Sequence, residues 1–581
     1  MDLPPKSPAT GHRLLLLAGW VVLVAAVLAV YHGLGRHRFV NFDDPMYIYE
    51  NGHVTAGLTA GDLHWAWTNK EALQWEPFTW MAHQSVCTLA GRQPAPHLLV
   101  NLALHALNAG LLFTVLWRLT GATGRSFAVA LLFAVHPVNV ETAAWASQLK
   151  STLSMLFFLL ALLAYTRTAR RGGGSNRLAL LALLASLLAK PMMFFFPLLL
   201  ALLDFWPLGL LPPIHGPAVR TAWNRWLNGK LPFFLLVGVL GVTAVLPWGS
   251  HPEMAAVHGF GWSRLAALPC RYAGYLGLLF WPANLAVLYP DQLDYPLLAT
   301  AGSFVLLAGI TVLAWRWRHR QPALLVGWGW YLLTMLPMSG VLRFGLQGMA
   351  DRYLYVPAIG IFLAVVWLVA DAMAGRWRLL RPVCLGAVAL LLAWQAHAQV
   401  AYWENSLTLW RHAAAVTPPS PVQHTNLGNA LLEAGRDSEA EAEFRAAISM
   451  GSNDPRPYVN LAVIAQHRRD IAGAITLLRQ ALVLAPADAR IHSNLGSLLQ
   501  DAGQMAEARS HLERAVVLRP DLAEAQINLG VLLAQSGELA RARECFEAAL
   551  HLRPGDPVAW SNLQLVLRQI DSGRARPPTE P

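Results

Sequence analysis

Apolar runs of membrane length, separated by short basic links, constrain this chain more than anything else in it. The first is LLLLAGWVVLVAAVLAV, Leu14 to Val30. Inside hydrocarbon no water pairs with a peptide N–H or C=O, so a spanning segment must satisfy its backbone internally, as a helix does. Candidate spans fall near 14–34, 98–117, 126–144, 152–166, 177–189, 191–206, 231–248, 297–315, 323–338, 355–371 and 380–398, about eleven crossings. Several are shorter than the ~20 residues that cross ~30 Å of hydrocarbon, so tilted or broken helices are expected. No small-residue cleavage pattern precedes RHRFVNFDD, and the first run reads as an uncleaved membrane helix rather than a signal peptide.

Composition excludes other classes. The chain is 55% hydrophobic and 13% charged over 581 residues, with a mean hydropathy of +0.39, which does not describe a soluble globular protein. A net charge of +10 does not imply nucleic acid here, because the basic residues concentrate in links between apolar runs and no nucleic-acid motif appears. Cys87, Cys270, Cys384 and Cys545 are too scattered for a metal knuckle or a disulfide framework.

The basic links set an orientation. With the N-terminus (Lys6, Arg13) in the cytoplasm, the links 118–125, 166–177, 207–230, 315–320 and 374–381 fall inside, and each is basic. The 35–97 loop, the HPVNVE turn (136–141), the AKP turn (189–191), the 249–296 loop, 343–353 and everything after 398 fall outside. LAALPCRYAGYLGLLFW (265–281), interrupted by Arg271, reads as an interfacial or re-entrant helix.

The C-terminal part repeats. Asn426, Asn460, Asn494, Asn528 and Asn562 are 34 residues apart, each followed by Leu, and Ala440, Ala474, Ala508 and Ala542 keep the same interval. That period is the tetratricopeptide signature: a helix pair whose small residues allow close approach, closed by a Pro. The expected layout is a membrane domain over 1–400, a linker over 401–421, four repeats and a closing helix over 422–570, and a polar disordered tail over 571–581. Such solenoids present a concave surface to a peptide or partner protein.

The run FVNFDDPMYIYENGHV places Asp43 and Asp44 just past the first span. Trp65, Trp67, Trp75 and Trp80 follow as an expected interfacial belt, with His83 and His97 expected at the interface. Outer turns bring His136, Glu141, Lys190, Arg271 and Arg352 to the same depth. Carboxylates beside fixed cations at a membrane surface suit a reaction between a lipid-anchored phosphate and a soluble nucleophile: Arg and Lys hold the leaving phosphate, and Asp takes the proton of an attacking hydroxyl. No His/Asp/Glu cluster has metal-ligand spacing, so a divalent cation stays optional. Phosphate-cradling GxxxxGK[ST] and GxSxG elbows are missing. His105 and Asn108, one turn apart, read as ties between helices.

These stretches also carry a resemblance. FVNFDDPMYIYENGHVTAGLT…W…WEPFTWMAHQ, HLLVNLALHALNAGLLF, FAVHPVNVETAAWASQLKSTLS, KPMMFFFPLLLALLDFWPL, WPANLAVLYP and LQGMADRYLYVPAIGIF, in this order and ahead of the repeats, resemble the transmembrane and tetratricopeptide repeat family of C-type glycosyltransferases. That family is related to the protein O-mannosyltransferases. The resemblance implies an all-α polytopic bundle of the C-type glycosyltransferase fold followed by an α-solenoid. It implies a polyprenyl-phosphate sugar donor, inversion by single displacement, and an acceptor hydroxyl, on Ser or Thr of an exported protein held by the repeats. Asp43 and Asp44 then match the first-loop acidic motif, one of them the base. His136 and Glu141 match the HP…E turn of the pocket, and Asp351, Arg352 and Tyr353 match the ADRYxYxP motif. Arg352 is the leading candidate for the donor phosphate, followed by Arg271 and Lys190. Lys150 matches the basic position of an R-K-D triplet whose Arg and Asp are absent here, where Gln148 and Ser151 flank it. The composition points to a bacterial inner membrane with a periplasmic active face. Two other readings fit the residues: a non-catalytic membrane scaffold that recruits partners through its repeats, and a transferase acting on an envelope lipid or polysaccharide.

Overall fold

The computed structural model describes residues 10–69, 75–171, 176–212, 219–245, 262–340 and 348–574. Among them there is no strand, only an isolated antiparallel bridge between Tyr289 and Met349. The chain divides into two units, Met1–Pro418 and Pro419–Pro581.

The first unit runs α1 (Thr10–Val30), α2 (Gly52–Thr55), α3 (Ala60–Thr68), α4 (Pro77–Ala90), α5 (Pro94–Thr120), α6 (Thr123–Val135), α7 (Val140–Ala144), α8 (Leu149–Arg170), α9 (Arg177–Ala189) and α10 (Phe196–Phe205). It continues with α11 (Val219–Val245), α12 (Trp262–Phe280), α13 (Leu297–Arg316), α14 (Pro322–Met335), α15 (Pro357–Ala372), α16 (Arg381–Tyr402) and α17 (Ser406–Val416). By length and apolar composition, five described helical stretches can each cross a membrane: Arg13–Val30, Pro94–Thr120, Ala146–Arg170, Leu297–Arg316 and Gly375–Tyr402. The bent pair α6–α7 makes a sixth. The other expected spans fall on shorter apolar helices, α9, α10, α14 and α15, and on α11.

The bend in α6–α7 follows from the sequence. Pro137 has no N–H and pushes the preceding residue out of the helical region, and His136 is extended (φ −75°, ψ 132°). The axis turns by 57°. Asn139 Nδ2 donates to the carbonyl of Phe133, satisfying one of the acceptors released by the break (2.7 Å). Glu141 thereby sits in the first turn of a short buried helix.

Two expectations change. The stretch 401–421 is not a plain linker, for it contains α17, whose Trp410 is fully buried in the first unit. Residues 265–280 of the expected interfacial or re-entrant helix lie on α12, a continuous 19-residue helix that contains Pro269. His83 and His97 are fully buried rather than interfacial, with Nδ1 atoms 3.1 Å apart, and Trp80 is buried between Tyr47 and Trp65 instead of standing in an exposed belt.

The second unit is four antiparallel helix pairs: α18 (Pro421–Glu433) with α19 (Asp437–Ser449), α20 (Arg456–His467) with α21 (Ile471–Leu484), α22 (Ala489–Asp501) with α23 (Met505–Leu518), and α24 (Ala523–Gln535) with α25 (Leu539–Leu552). A single helix, α26 (Pro557–Arg574), follows. The repeated glycine is a close-approach position. A Cβ at Gly530 would come within 2.8 Å of the Phe546 ring, and one at Gly496 within 2.6 Å of Leu512. The first residues of the expected polar tail are helical, since α26 reaches Arg574, and 575–581 lie outside the described residues.

Candidate functional site

The two adjacent aspartates are not equivalent. Asp44 is 1% exposed. Its Oδ2 accepts from the Val40 N–H (2.9 Å), and its Oδ1 accepts from the Ser147 N–H (3.0 Å) and the Ser147 hydroxyl. Burial pushes its carboxyl up to about 6, with those hydrogen bonds opposing the rise. Asp44 therefore pins the first loop to the turn that opens α8. Further ties hold that loop: Phe42 stacks on Trp145 at 5.5 Å, Trp410 meets Phe42 edge-on at 5.4 Å, and the Asn41 N–H donates to the Ser406 hydroxyl (2.9 Å).

With its neighbour so held, Asp43 projects elsewhere. Its side chain is 29% exposed, and its Oδ2 lies 3.6 Å from Lys150 Nζ. Lys150 stands 3.9 Å from the centre of the Tyr47 ring, a cation–π contact. The Tyr47 hydroxyl donates to Glu76 Oε2 (3.1 Å), and Glu76 Oε1, fully buried, has no hydrogen-bond partner among the described residues. Burial pushes the Glu76 carboxyl up against the pull of Lys150 and Lys190. Pro77 opens α4 directly after it, and Thr79 donates to the Ala189 carbonyl (2.7 Å), tying α4 to the end of α9.

Lys190 closes that end of α9. Its Nζ donates to the Ser151 hydroxyl (2.9 Å), which donates to Gln148 Oε1 (2.8 Å). Ser151 and Gln148 thus link Lys190 to the turn that opens α8. Arg352 pairs with Glu141, both through its guanidinium and through its backbone N–H to Oε2 (2.7 Å). It also lies 5.4 Å from the Trp145 ring and 5.1 Å from the Tyr353 ring. A small cleft of about 40 Å³ lies between Ser151, Lys190, Met193, Thr334, Arg352 and Tyr353.

The remaining candidates have other partners. Asp351 does not pair with Arg352; its Oδ1 accepts from the Tyr289 hydroxyl (2.8 Å). Both ring nitrogens of His136 are engaged: Nε2 donates to the Leu279 carbonyl (3.0 Å), and Nδ1 accepts from the Val138 N–H (3.3 Å). Arg271, buried, is taken up by Asp291 (2.5 Å) and the Ser339 carbonyl (3.0 Å). His105 and Asn108 do tie helices, through the Tyr355 hydroxyl (2.9 Å) and the Thr152 carbonyl (2.8 Å). No group of three or more His, Cys, Asp or Glu side chains is placed to hold a metal among the described residues.

Sequence reasoning missed Glu76, Ser147, Asn101 and Trp410. Asn101 Nδ2 reaches the carbonyls of Thr142, Ala143 and Trp145 at 2.8 to 3.2 Å and so fixes the end of α7. Only Glu76 carried a local signal, an acid set between Trp75 and Pro77 where a helix begins.

A helical unit with membrane-length apolar helices and a buried ionic cluster, joined in one chain to a tetratricopeptide solenoid, defines a class of polytopic membrane proteins. The tetratricopeptide repeat family model matches residues 425–489 and 493–557. Human protein O-mannosyl-transferase TMTC1 is 26% identical over 526 residues, covering 79% of this chain and 58% of that protein. Mouse protein O-mannosyl-transferase TMTC4 is 25% identical over 466 residues, covering 70% and 63%. Drosophila melanogaster protein O-mannosyl-transferase Tmtc2 is 33% identical over 124 residues, covering 21% and 13%. The TMTC1 match is longer than the 418 residues of the first unit, so it takes in parts of both units. The chain is similar to these protein O-mannosyl-transferases and spans less than two thirds of their length.

Proposed function

We propose that this chain is a membrane glycosyltransferase that moves a sugar from a polyprenyl-phosphate carrier to a Ser or Thr hydroxyl of a protein. Mannose is the sugar by analogy with the names of the relatives. Asp43 acts as the general base. It takes the proton of the acceptor hydroxyl as that oxygen bonds to the sugar's anomeric carbon, while the bond from that carbon to the phosphate oxygen breaks. The electron pair leaves with the carrier phosphate, whose charge Lys190 and Arg352 stabilise from the sides of the cleft. One displacement inverts the sugar and leaves no covalent enzyme intermediate.

The observation that carries this reading is the division of labour between the aspartates. Asp44 is consumed by three hydrogen bonds, whereas Asp43 keeps a part-exposed carboxylate beside Lys150. Lys150 fixes the direction of Asp43, and Asp44 fixes its loop. The repeats hold the acceptor polypeptide, the basic links stay in the cytoplasm, and the active face lies on the periplasmic side of a bacterial inner membrane.

The test is transfer in a purified system. The full chain, reconstituted with polyprenyl-phosphate mannose and an extended Ser/Thr-containing protein, attaches a hexose to a hydroxyl detectable by mass spectrometry. A folded preparation that leaves the protein unmodified but elongates an envelope lipid or polysaccharide would contradict the proposal.

A further inference from the structure

The second notable opening in the first unit lies away from the cluster just described. It is a groove of about 780 Å³, walled by Val22 of α1, Phe127 and Leu132 of α6, Val366 of α15, and Leu385 and Val388 of α16. That volume falls in the range of ligand-binding cavities, roughly 300–1,000 Å³. One end is apolar throughout; the other is formed by two of the basic links, through Arg125 and Arg381.

The geometry points to a binding site for an anionic glycerophospholipid, its headgroup at the arginines and its acyl chains along the apolar walls. Three observations commit the groove to that occupant. The first is charge. Arg125 is paired with Asp371 (2.5 Å) and rests 5.6 Å from the Trp367 ring. Arg381 gives its Nε to the Met373 carbonyl (3.1 Å). Arg376 and Arg378 stand exposed on the single turn Gly375–Leu380 that leads into α16. Two arginines thus line the mouth against one carboxylate, and two more stand exposed on the segment that leads into it, a surplus suited to a phosphate.

The second is depth. From Arg125 to Leu132 α6 advances about 10 Å at 1.5 Å per residue, which is most of one leaflet of a hydrocarbon core ~30 Å thick. A lipid lying in the leaflet beside the basic links therefore has its phosphate and its chains at matching levels. The third is room. A Cβ added at Gly124 or at Gly386 meets nothing within 4 Å, so the groove is open beside both glycines. Exposed Trp377 and Leu379 on the same turn suit the headgroup boundary, where amphipathic aromatics collect.

Native mass spectrometry of the full chain in detergent tests this, with phosphatidylglycerol and phosphatidylcholine of identical acyl chains offered at equal concentration. The wild type retains phosphatidylglycerol preferentially. Arg381→Gln lowers that preference about fivefold, the contribution of one arginine at an anionic surface. Gly386→Phe, which fills the groove without changing charge, lowers retention of both lipids. Thermal stability is measured in parallel; should Arg381→Gln unfold, the exposed pair Arg376→Gln/Arg378→Gln serves as the charge test. Equal retention of the two headgroups by the wild type, or an unchanged preference in a folded charge variant, overturns the proposal. Stronger retention of polyprenyl phosphate than of phosphatidylglycerol also overturns it, by giving the groove to the donor carrier.

Discussion

The first unit buries two sets of cations and carboxylates, and they differ in what they leave unpaired. In one, Asp204 lies 2.7 Å from Lys230 and accepts from the Tyr165 hydroxyl (2.6 Å) and Trp226 Nε1 (2.8 Å). Lys230 also lies 4.4 Å from the Tyr165 ring. That set is closed, since each carboxylate oxygen has a donor and the charges sit within aromatic walls. The other set, Asp43, Glu76, Glu141, Lys150, Lys190 and Arg352, is open: Asp43 is part-exposed, one Glu76 oxygen has no hydrogen-bond partner among the described residues, and Lys190 and Arg352 line a cleft. Burial of charge alone does not mark a reactive site, because both sets are buried. Capacity left for an incoming group distinguishes the open one.

Removing a carboxylate from each set sharpens that contrast. Glu141→Gln strands Arg352, and loss of one member of a buried pair costs about 3–5 kcal/mol. The expected result is a lower melting temperature together with lost transfer. Asp204→Asn strands Lys230 at a comparable stability cost, yet transfer per folded molecule stays at the wild-type level. Melting temperature and activity measured on the same preparations separate the two, and a folded Asp204→Asn protein that has lost transfer would break the comparison.

A smaller effect follows from Asp44. Its carboxyl rises from an ordinary 3.8 to about 6 on burial. Because the folded value is the higher one, the associated stability is fully present below about 4 and is lost as pH rises through about 6. At neutral pH the loss amounts to about 3 kcal/mol. Thermal stability of the wild type should therefore fall across pH 4 to 7 more steeply than that of Asp44→Asn. Parallel curves would remove Asp44 as the titrating pin.

Much of the fold was legible because its signals are local and periodic. The 34-residue step of Asn426, Asn460, Asn494 and Asn528 marks the first helix of each pair, and each expected apolar span overlaps a helix among the described residues, 246–248 lying outside them. The HPVNVE stretch, read as an outer turn, holds the bend at Pro137 that carries Glu141. The wiring of the candidate site was less legible because its contacts span long separations. Asp44 finds Ser147 across 103 residues, and Glu141 finds Arg352 across 211. Nothing near Asp351 in the sequence shows that its neighbour Arg352 prefers Glu141. Arg271, grouped with the other cations by depth, pairs with Asp291 only 20 residues on, a contact no local pattern displays. Glu76 and Trp410 gain meaning only once α4 and α17 pack beside the first loop.

The central claim is that Asp43, and not its buried neighbour, removes the acceptor's proton. Single-turnover transfer from polyprenyl-phosphate sugar by folded Asp43→Asn protein tests it directly. The account predicts donor binding close to wild type and transfer slower by about 10²–10⁴, the usual contribution of a positioned base. Transfer at the wild-type rate by Asp43→Asn would contradict it.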